Sequence, residues 1–393
     1  MPQLRYLSAG ESHGKSLTGI IEGMPAGLSL IASRDIDPIL IERQRGYGRS
    51  YRQKIEDDRV EILSGVRFGI TTGAPIALKI DNADNKNWGD EMSVISIESK
   101  SNPVTIPRPG HADLAGAIKY QHDDIRNVLE RASARETAMR VAVGAVASRM
   151  LSALGIFSVA YVKSIGAVSV SEKNKPEDSH NLLAVLSKSE LRMYDSHAEA
   201  AAKSLIDEAK KSGDTLGGVV EISFSGIPIG IGSYVQWDRK LDGLLAQALM
   251  SIQAVKSVEI GDGLQLASRF GGESHDEIIV ENGFIARSTN RAGGIEGGMS
   301  NGMPIVLRLA MKPISTLMQP LQSINLATGL PTTSHIERSD VCAVPSLATI
   351  AEQVAAFTIA SALLDTFGGD TITELSERVE RRREQSRITI KKV

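Results

Sequence analysis

The stretch "GITTGAPIALKI", Gly69 to Ile80, is written a second time as "GMSNGMPIVLRL", Gly298 to Leu309. Both read Gly-x-x-x-Gly-x-Pro-Ile-x-Leu, then a basic and an aliphatic residue. Glycine and proline mark a turn, and the alternation after them is that of a half-buried strand. One such unit in each half of the chain predicts two related halves, each with a sheet.

Working outward, strand-like runs recur at "TGIIEGM" from Thr18, "VEILSGV" from Val60, "FSVAYV" from Phe157 and "GGVVEISF" from Gly217. Helical spacing predicts helices over "ADLAGAIKYQ" from Ala112, "ETAMRVAVGAVASRMLSAL" from Glu136 and "HAEAAAKSLIDEAKK" from His197. It also predicts them over "LDGLLAQALMSIQAVKSV" from Leu241 and "LATIAEQVAAFTIASALLDTF" from Leu347. Gly155, Gly213 and Gly368 stand where three of these should stop. The polar segment from Ser171 to Ser189 reads as exposed surface, and the charged run from about Glu374 as a solvated helical tail. Periodicity alone leaves a parallel α/β sheet and paired antiparallel sheets both open.

A chain of 393 residues is one large domain or two. A net charge of -3 and 4% aromatic residues argue against a general nucleic-acid binder, which needs a basic surface and stacking platforms. The single Cys342 rules out an internal disulfide framework and reads as a small buried hydrophobe. No apolar run reads as approaching the roughly 20 residues of a membrane span. The opening "MPQLRYLSAG" lacks the basic-then-apolar pattern of a signal peptide. The expectation is a cytoplasmic protein.

Four clusters carry the chemistry. In "GESHG", His13 stands on a glycine-rich turn before an apolar run. In "RASARETAMRV", Ser133 and Glu136 have capping-box spacing, which would put Arg131 and Arg135 at a helix N-terminus that favours anions. A plain helix start with two surface arginines is the blander reading. In "VTIPRPGHADLAG", two prolines and a glycine hold a bend presenting Arg108 and His111, with Asp113 read as the cap of the next helix. In "ERQRGYGRSYRQK", a basic run from Arg43 to Lys54 fits a clamp for a small polyanion, or an arginine-rich nucleic-acid segment. The glycine loop "STNRAGGIEGGMSNG" matches neither a dinucleotide fingerprint nor a Walker loop. His122 with Asp123 and Asp124 lacks metal-ligand spacing, so no tightly bound metal is expected. His275, in a second Glu-Ser-His, is the one remaining histidine worth locating. Rigid histidine turns, separate arginine clusters and glycine loops point to a small, highly anionic substrate and a cofactor.

"GESHG", "RQRGYGR", "RPGHAD", "RASARETA", "NRAGGIEGGMSNG", "KPIST" and "ERSDVC" occur in this order. Together they closely resemble the motifs of the chorismate synthases, from about Tyr6 to Ala343. The resemblance implies 1,4-elimination of phosphate from 5-enolpyruvylshikimate 3-phosphate, giving chorismate in the shikimate pathway of aromatic amino-acid biosynthesis. It implies reduced FMN as cofactor, with NADPH or an external flavin reductase as the source of reducing equivalents. It implies an α+β fold: a β-α-β sandwich of two antiparallel sheets packed with helices. Its pseudo-symmetric halves form a single large domain over residues 1–393, assembled as a homotetramer.

By the same resemblance, His13 donates a proton to the departing phosphate. His111 supports the flavin's charge state, and Asp340 helps relay the flavin N5 proton. Arg43, Arg49, Arg108, Arg135 and Arg338 bind substrate anions, with Arg43 and Arg49 also linked to NADPH. FMN lies against Arg131, Ala132, Ser133, Gln253, Ala254, Gly297, the turn Lys312, Pro313, Ile314, Ser315 and Thr316, and Arg338. Many relatives have serine where Ala132 stands, so only a backbone contact is expected there. Two other readings make different predictions. A flavin-dependent oxidoreductase consumes NADPH with each product, and an arginine-rich nucleic-acid binder shows steep salt dependence without flavin.

Overall fold

The computed structural model describes residues 4–49, 56–96, 103–334 and 340–386. Two antiparallel sheets dominate. The first contains β1 (Arg5–Ala9), β2 (Ser16–Glu22), β3 (Glu61–Ile62) and β4 (Ile76–Asp81), in the order β1-β2-β4-β3. The second contains β5 (Phe157–Ile165), β6 (Val168–Ser169), β7 (Gly218–Ser225), β8 (Val255–Ile260) and β9 (Ile305–Met311), in the order β8-β9-β7-β5-β6. The antiparallel pairing settles the choice that periodicity left open.

The repeated stretch supplies an inner strand of each sheet. Ile76, Leu78 and Ile80 of β4, and Ile305, Leu307 and Leu309 of β9, are all buried at alternate positions. The repetition runs further than the letters suggested. Phe68-Gly69 and Gly297-Gly298 each form a two-residue hairpin turn, all four with φ between 52° and 85°. That is the backbone of a primed turn, whose twist suits antiparallel strands. Just after each turn a hydroxyl repeats one set of bonds. Thr71 Oγ1 donates to Pro25 O and accepts from Leu28 N; Ser300 Oγ donates to Pro228 O and accepts from Ile231 N.

Eight helices matter to the site and core: α1 (Asp37–Gln44), α2 (Asp113–Tyr120), α3 (Arg126–Ala132), α4 (Thr137–Ala153), α5 (Ser196–Ser212), α6 (Leu241–Met250), α7 (Val344–Phe367) and α8 (Ile372–Gln385). Helix α4 packs on β1, β2 and β4, α7 packs on β5 and β7, and the two helices pack on each other. Helix α7 is 24 residues, long and apolar enough to cross a membrane by length and composition, which corrects the expectation that no run approaches that length. Most of it is buried, against α4, α6, β5 and β7, and a helix covered on all sides has no need of a polar face.

The contact of α4 with α7 depends on Gly144. A Cβ built there would lie 2.4 Å from the Gln353 carbonyl oxygen and 2.5 Å from its Cβ. Backbone cannot rotate away as a side-chain end can, so Gly144→Ala is expected to force the helices apart and cost about 1–3 kcal/mol. Denaturant titration reads this as a lower midpoint at unchanged slope.

Three sequence expectations are corrected. The helix from Leu241 to Val258 is instead α6 followed by β8, because Ala254 takes a left-handed backbone (φ 65°) and Val-Lys-Ser-Val-Glu-Ile then alternates as a strand. The polar segment after Ser171 forms a short helix, Ser179–Leu186, that buries Leu182 and Leu186. The charged tail is not wholly solvated: α8 buries Leu375 and Val379 and opens with a complete Thr371–Glu374 capping box.

Candidate active site

A cavity of about 500 Å³ opens where the β1–β2 turn, the Arg108–Ala112 bend, the start of α4, the α6–β8 break, the Lys312–Thr316 turn and the start of α7 meet. Among the described residues, Arg43, Arg49, Arg108, Arg135 and Lys312 line it, against only Glu56 and Asp340 of opposite charge. His13 and His111 line it too. The structure therefore gathers residues from seven separate stretches of the sequence around one basic hollow, the seventh being that of Arg43, Arg49 and Glu56.

His13 sits on the turn between β1 and β2. Its backbone N–H donates to Glu130 Oε2 at 2.7 Å, and its Nδ1 lies 2.8 Å and 3.0 Å from the two Glu130 oxygens. Its ring stacks on Trp88 with centroids 4.2 Å apart. Asn85 Nδ2 donates to its carbonyl, and Ser133 Oγ donates to the neighbouring Ser12 Oγ.

His111 follows a bend that needs Gly110, at φ 80°; a Cβ there would also press on Lys312 Nζ and Ser315. Lys312 Nζ donates to the Gly110 carbonyl, tying the bend to the Lys312–Thr316 turn. Asp113 does not cap α2 with its side chain. It opens the helix at its first position and turns back, accepting from Arg108 Nε at 2.8 Å and Arg108 N at 3.1 Å, with His111 Nδ1 on its other oxygen. Burial raises the Asp113 carboxyl, but hydrogen bonds from His111 and Arg108 outweigh it and hold the group below the usual carboxylate range. The Arg108–Asp113–His111 cluster therefore keeps its negative member well into acid.

Arg43, from α1, and Arg135, from the tight turn before α4, are both buried and share Asp58, which is fully buried. Arg135 also reaches Glu56 and Asn82. Burial, then the repulsion of Arg135 and Arg49, lowers the Arg43 guanidinium to about 10 against the opposing pull of Asp58. It stays charged at neutral pH. Arg49 pairs with Asp340 at 2.9 Å, joining two residues selected from distant motifs. Burial pushes the Cys342 thiol up to about 11, so it packs as the expected hydrophobe.

Among the described residues, three buried polar atoms at this cavity have no hydrogen-bond partner: Arg49 Nε, Glu56 Oε1 and Gln253 Oε1. Orphaned buried groups are rare, and three at one hollow mark a place completed by a ligand. Ala254, strained in the left-handed region, lines the same wall, as functional sites often tolerate. The remaining wall is apolar, from Ile252, Met311, Ile314, Leu347 and Ile350.

Ala132, Ser133, Gln253, Ala254, Lys312, Ile314, Ser315 and Thr316 all line the cavity. Pro313 lies within the same turn without lining it. Arg131 does not line it. It occupies the last turn of α3, a C-terminus rather than the expected N-terminus, and donates to Ser8 O and Gly10 O. Gly297 also lies apart, in the hairpin turn beside the start of α6. Arg338 falls outside the described residues. The capping box before α4 is half formed: Ser133 accepts from Arg135 N, while Glu136 pairs with Arg140 and accepts from Gln253 Nε2. His275 is exposed at the end of a short helix away from this cavity.

Sequence reasoning missed Glu130, Asp113 as an ion-pair partner, Asp58 and Ser12. Glu130 immediately precedes the Arg131 at which the motif begins, and Asp58 lies past the end of the basic run, in none of the motifs quoted. The nucleic-acid reading of the Arg43–Lys54 run loses support in its described part, where Arg43 is buried, Arg49 largely so, both are ion-paired, and only Arg45 is exposed; residues 50–55 lie outside the described residues.

The chain matches the chorismate synthase family model over residues 4–364. It is similar to the chorismate synthase of Syntrophotalea carbinolica, at 52% identity over 97% of this chain and 98% of that one. It is likewise similar to that of Thermus thermophilus, at 53% identity over 98% and 100%. A crystal structure of chorismate synthase superposes with a TM-score of 0.79 at 43% identity, covering 98% of each chain.

Proposed function

The chain belongs to the chorismate synthase family, whose members use reduced flavin, and from that premise we propose how its cavity removes phosphate from 5-enolpyruvylshikimate 3-phosphate. The observation that carries the reading is the convergence of four arginines and Lys312 with two imidazoles around one hollow. The substrate has a phosphate and two carboxylates, and bidentate guanidinium groups suit both. Arg43, Arg49, Arg108, Arg135 and Arg338 would hold those groups.

His13 donates a proton from Nε2 to the phosphate as the C3–O bond breaks. His111, braced by Asp113, holds a proton next to the flavin. Asp340, held by Arg49, moves a proton at its carboxylate. The cavity's residues fit a flavin: Gln253 Oε1 is an unused acceptor, the Lys312–Thr316 turn is polar, and the apolar wall suits a flat ring. When bound, reduced FMN supplies transient electron density to the leaving allylic phosphate without net oxidation. Ala132, Ser133, Gln253, Ala254 and the Lys312–Thr316 turn would hold it. Arg131 and Gly297 join that set only through contacts this chain does not make by itself.

The finer architecture belongs to the same proposal: a β-α-β sandwich with pseudo-symmetric halves in one domain, a lyase assembled as a cytoplasmic homotetramer. The duplicated turn-and-hydroxyl device supports the halves. The cross-strand pair Leu7 and Ile20, both exposed on the first sheet, supports further copies covering that face. NADPH or an external flavin reductase would supply reducing equivalents.

The test is anaerobic phosphate release from 5-enolpyruvylshikimate 3-phosphate with photoreduced and, separately, oxidised FMN. Release only with reduced flavin, over many turnovers per flavin, is expected. NADPH consumed in step with product would overturn the elimination in favour of an oxidoreductase.

A further inference from the structure

We propose that Glu130 is the positioning residue of His13, fixing its proton on Nδ1 and keeping Nε2 for the cavity. The inference rests on the proton-donor role of His13 proposed above. Glu130 is 2% exposed, and both its oxygens are spent on His13, one on the backbone N–H and both within reach of Nδ1. Its own carbonyl accepts from Ser12 N at 3.1 Å, so the end of α3 grips the turn at two consecutive residues.

An ionised carboxylate only accepts hydrogen bonds, so the nitrogen facing it must be the donor. Among the described residues, no lysine or arginine forms an ion pair with Glu130. A buried carboxylate without a compensating charge is costly, so the imidazole of His13 is its natural counter-charge. The other ring nitrogen, Nε2, lies 3.9 Å from Asp84 Oδ2, beyond hydrogen-bond reach, on a ring that lines the cavity. Trp88 fixes the plane of that ring, and the Arg126 guanidinium sits 5.1 Å from the Trp88 centroid. Among the described residues, the charged groups in contact with His13 are Glu130 from α3 and Asp84 from the segment after β4, with Arg126 acting through Trp88 and the arginines of the cavity beyond.

Glu130→Gln keeps the shape but leaves one acceptor for two donors. Three readouts separate positioning from mere support. Side-chain ¹⁵N NMR of the flavin-free protein should show His13 losing its uniform Nδ1–H form. Turnover should fall on the order of 10²-fold, the lower end of the range for general acid catalysis, with KM nearly unchanged. The pH profile of kcat should change, because the group that faces the catalytic imidazole is no longer a carboxylate. Glu130→Asp should restore part of each. A lowered melting temperature with unchanged tautomer and unchanged pH profile would overturn the proposal. The NMR readout needs no activity, so a failed role for His13 would be recognised separately by normal turnover in His13→Ala. Should Glu130→Gln not fold, Glu130→Asp carries the same three measurements.

Discussion

His13→Ala is expected to lower turnover by about 10²–10⁴, the range for loss of a general acid, while changing FMN affinity by no more than a few-fold. The contacts that His13 makes are with Glu130, Asn85 and Trp88, none of which belongs to the wall proposed for flavin. What the variant removes is an imidazole whose second nitrogen, among the described residues, has no hydrogen-bond partner within reach at the cavity. The phosphate must then depart without a proton, and no neighbouring group replaces it, because Asp84 and Glu130 are both carboxylates. Stability should fall too, since Glu130 is left buried without its partner, so turnover is compared at a temperature where both proteins are fully folded. Fluorescence titration of FMN and single-turnover phosphate release measure the two quantities separately. Normal release with a large loss of FMN binding would sink the assignment.

The duplicated "GITTGAPIALKI" stretch shows how far local pattern reaches. It located an inner strand of each sheet, because alternation and turn residues are properties of neighbouring positions. It did not reveal that Pro25 and Pro228 mirror each other, since those matching hydrogen bonds join residues distant in sequence. The same limit explains the site. His13, His111 and the arginines were legible through motifs, but their partners were not. Asp113 looked like a helix cap because its spacing is right for one, and only the folded bend brings Arg108 and His111 back onto it. Ala254 broke a helix that composition favoured, because its left-handed backbone is fixed by the surrounding packing rather than by its own preference. Arg131 was placed at a helix start because one helix was read where α3 ends and a tight turn leads into α4.

Asp58→Ala is expected to be the most destabilising single change at the site, by about 3–5 kcal/mol, the cost of breaking a buried ion pair from one side. Asp58 is fully buried, with Oδ1 2.5 Å from Arg135 Nη1 and Oδ2 3.4 Å from Arg43 Nη1. Removing it leaves two buried guanidinium groups facing each other with less counter-charge. An arginine side chain keeps its proton at neutral pH, and burial lowers that of Arg43 only to about 10 with Asp58 in place. Glu56 offsets only Arg135 in part, at 3.4 Å. The loss also removes the bridge between Arg43 of α1 and Arg135 before α4, leaving Arg43 only its bonds to Thr137 Oγ1 and the Ala134 carbonyl across that contact. Thermal denaturation should therefore shift down by several degrees. Added phosphate should recover more of that loss than it adds to the unchanged protein, because an anion in the cavity takes over part of the missing charge. The double variant Asp58→Ala with Arg43→Met separates the causes. If the single variant suffers from an uncompensated charge, the double should be more stable than Asp58→Ala alone. If it suffers only from lost packing, the double should be worse.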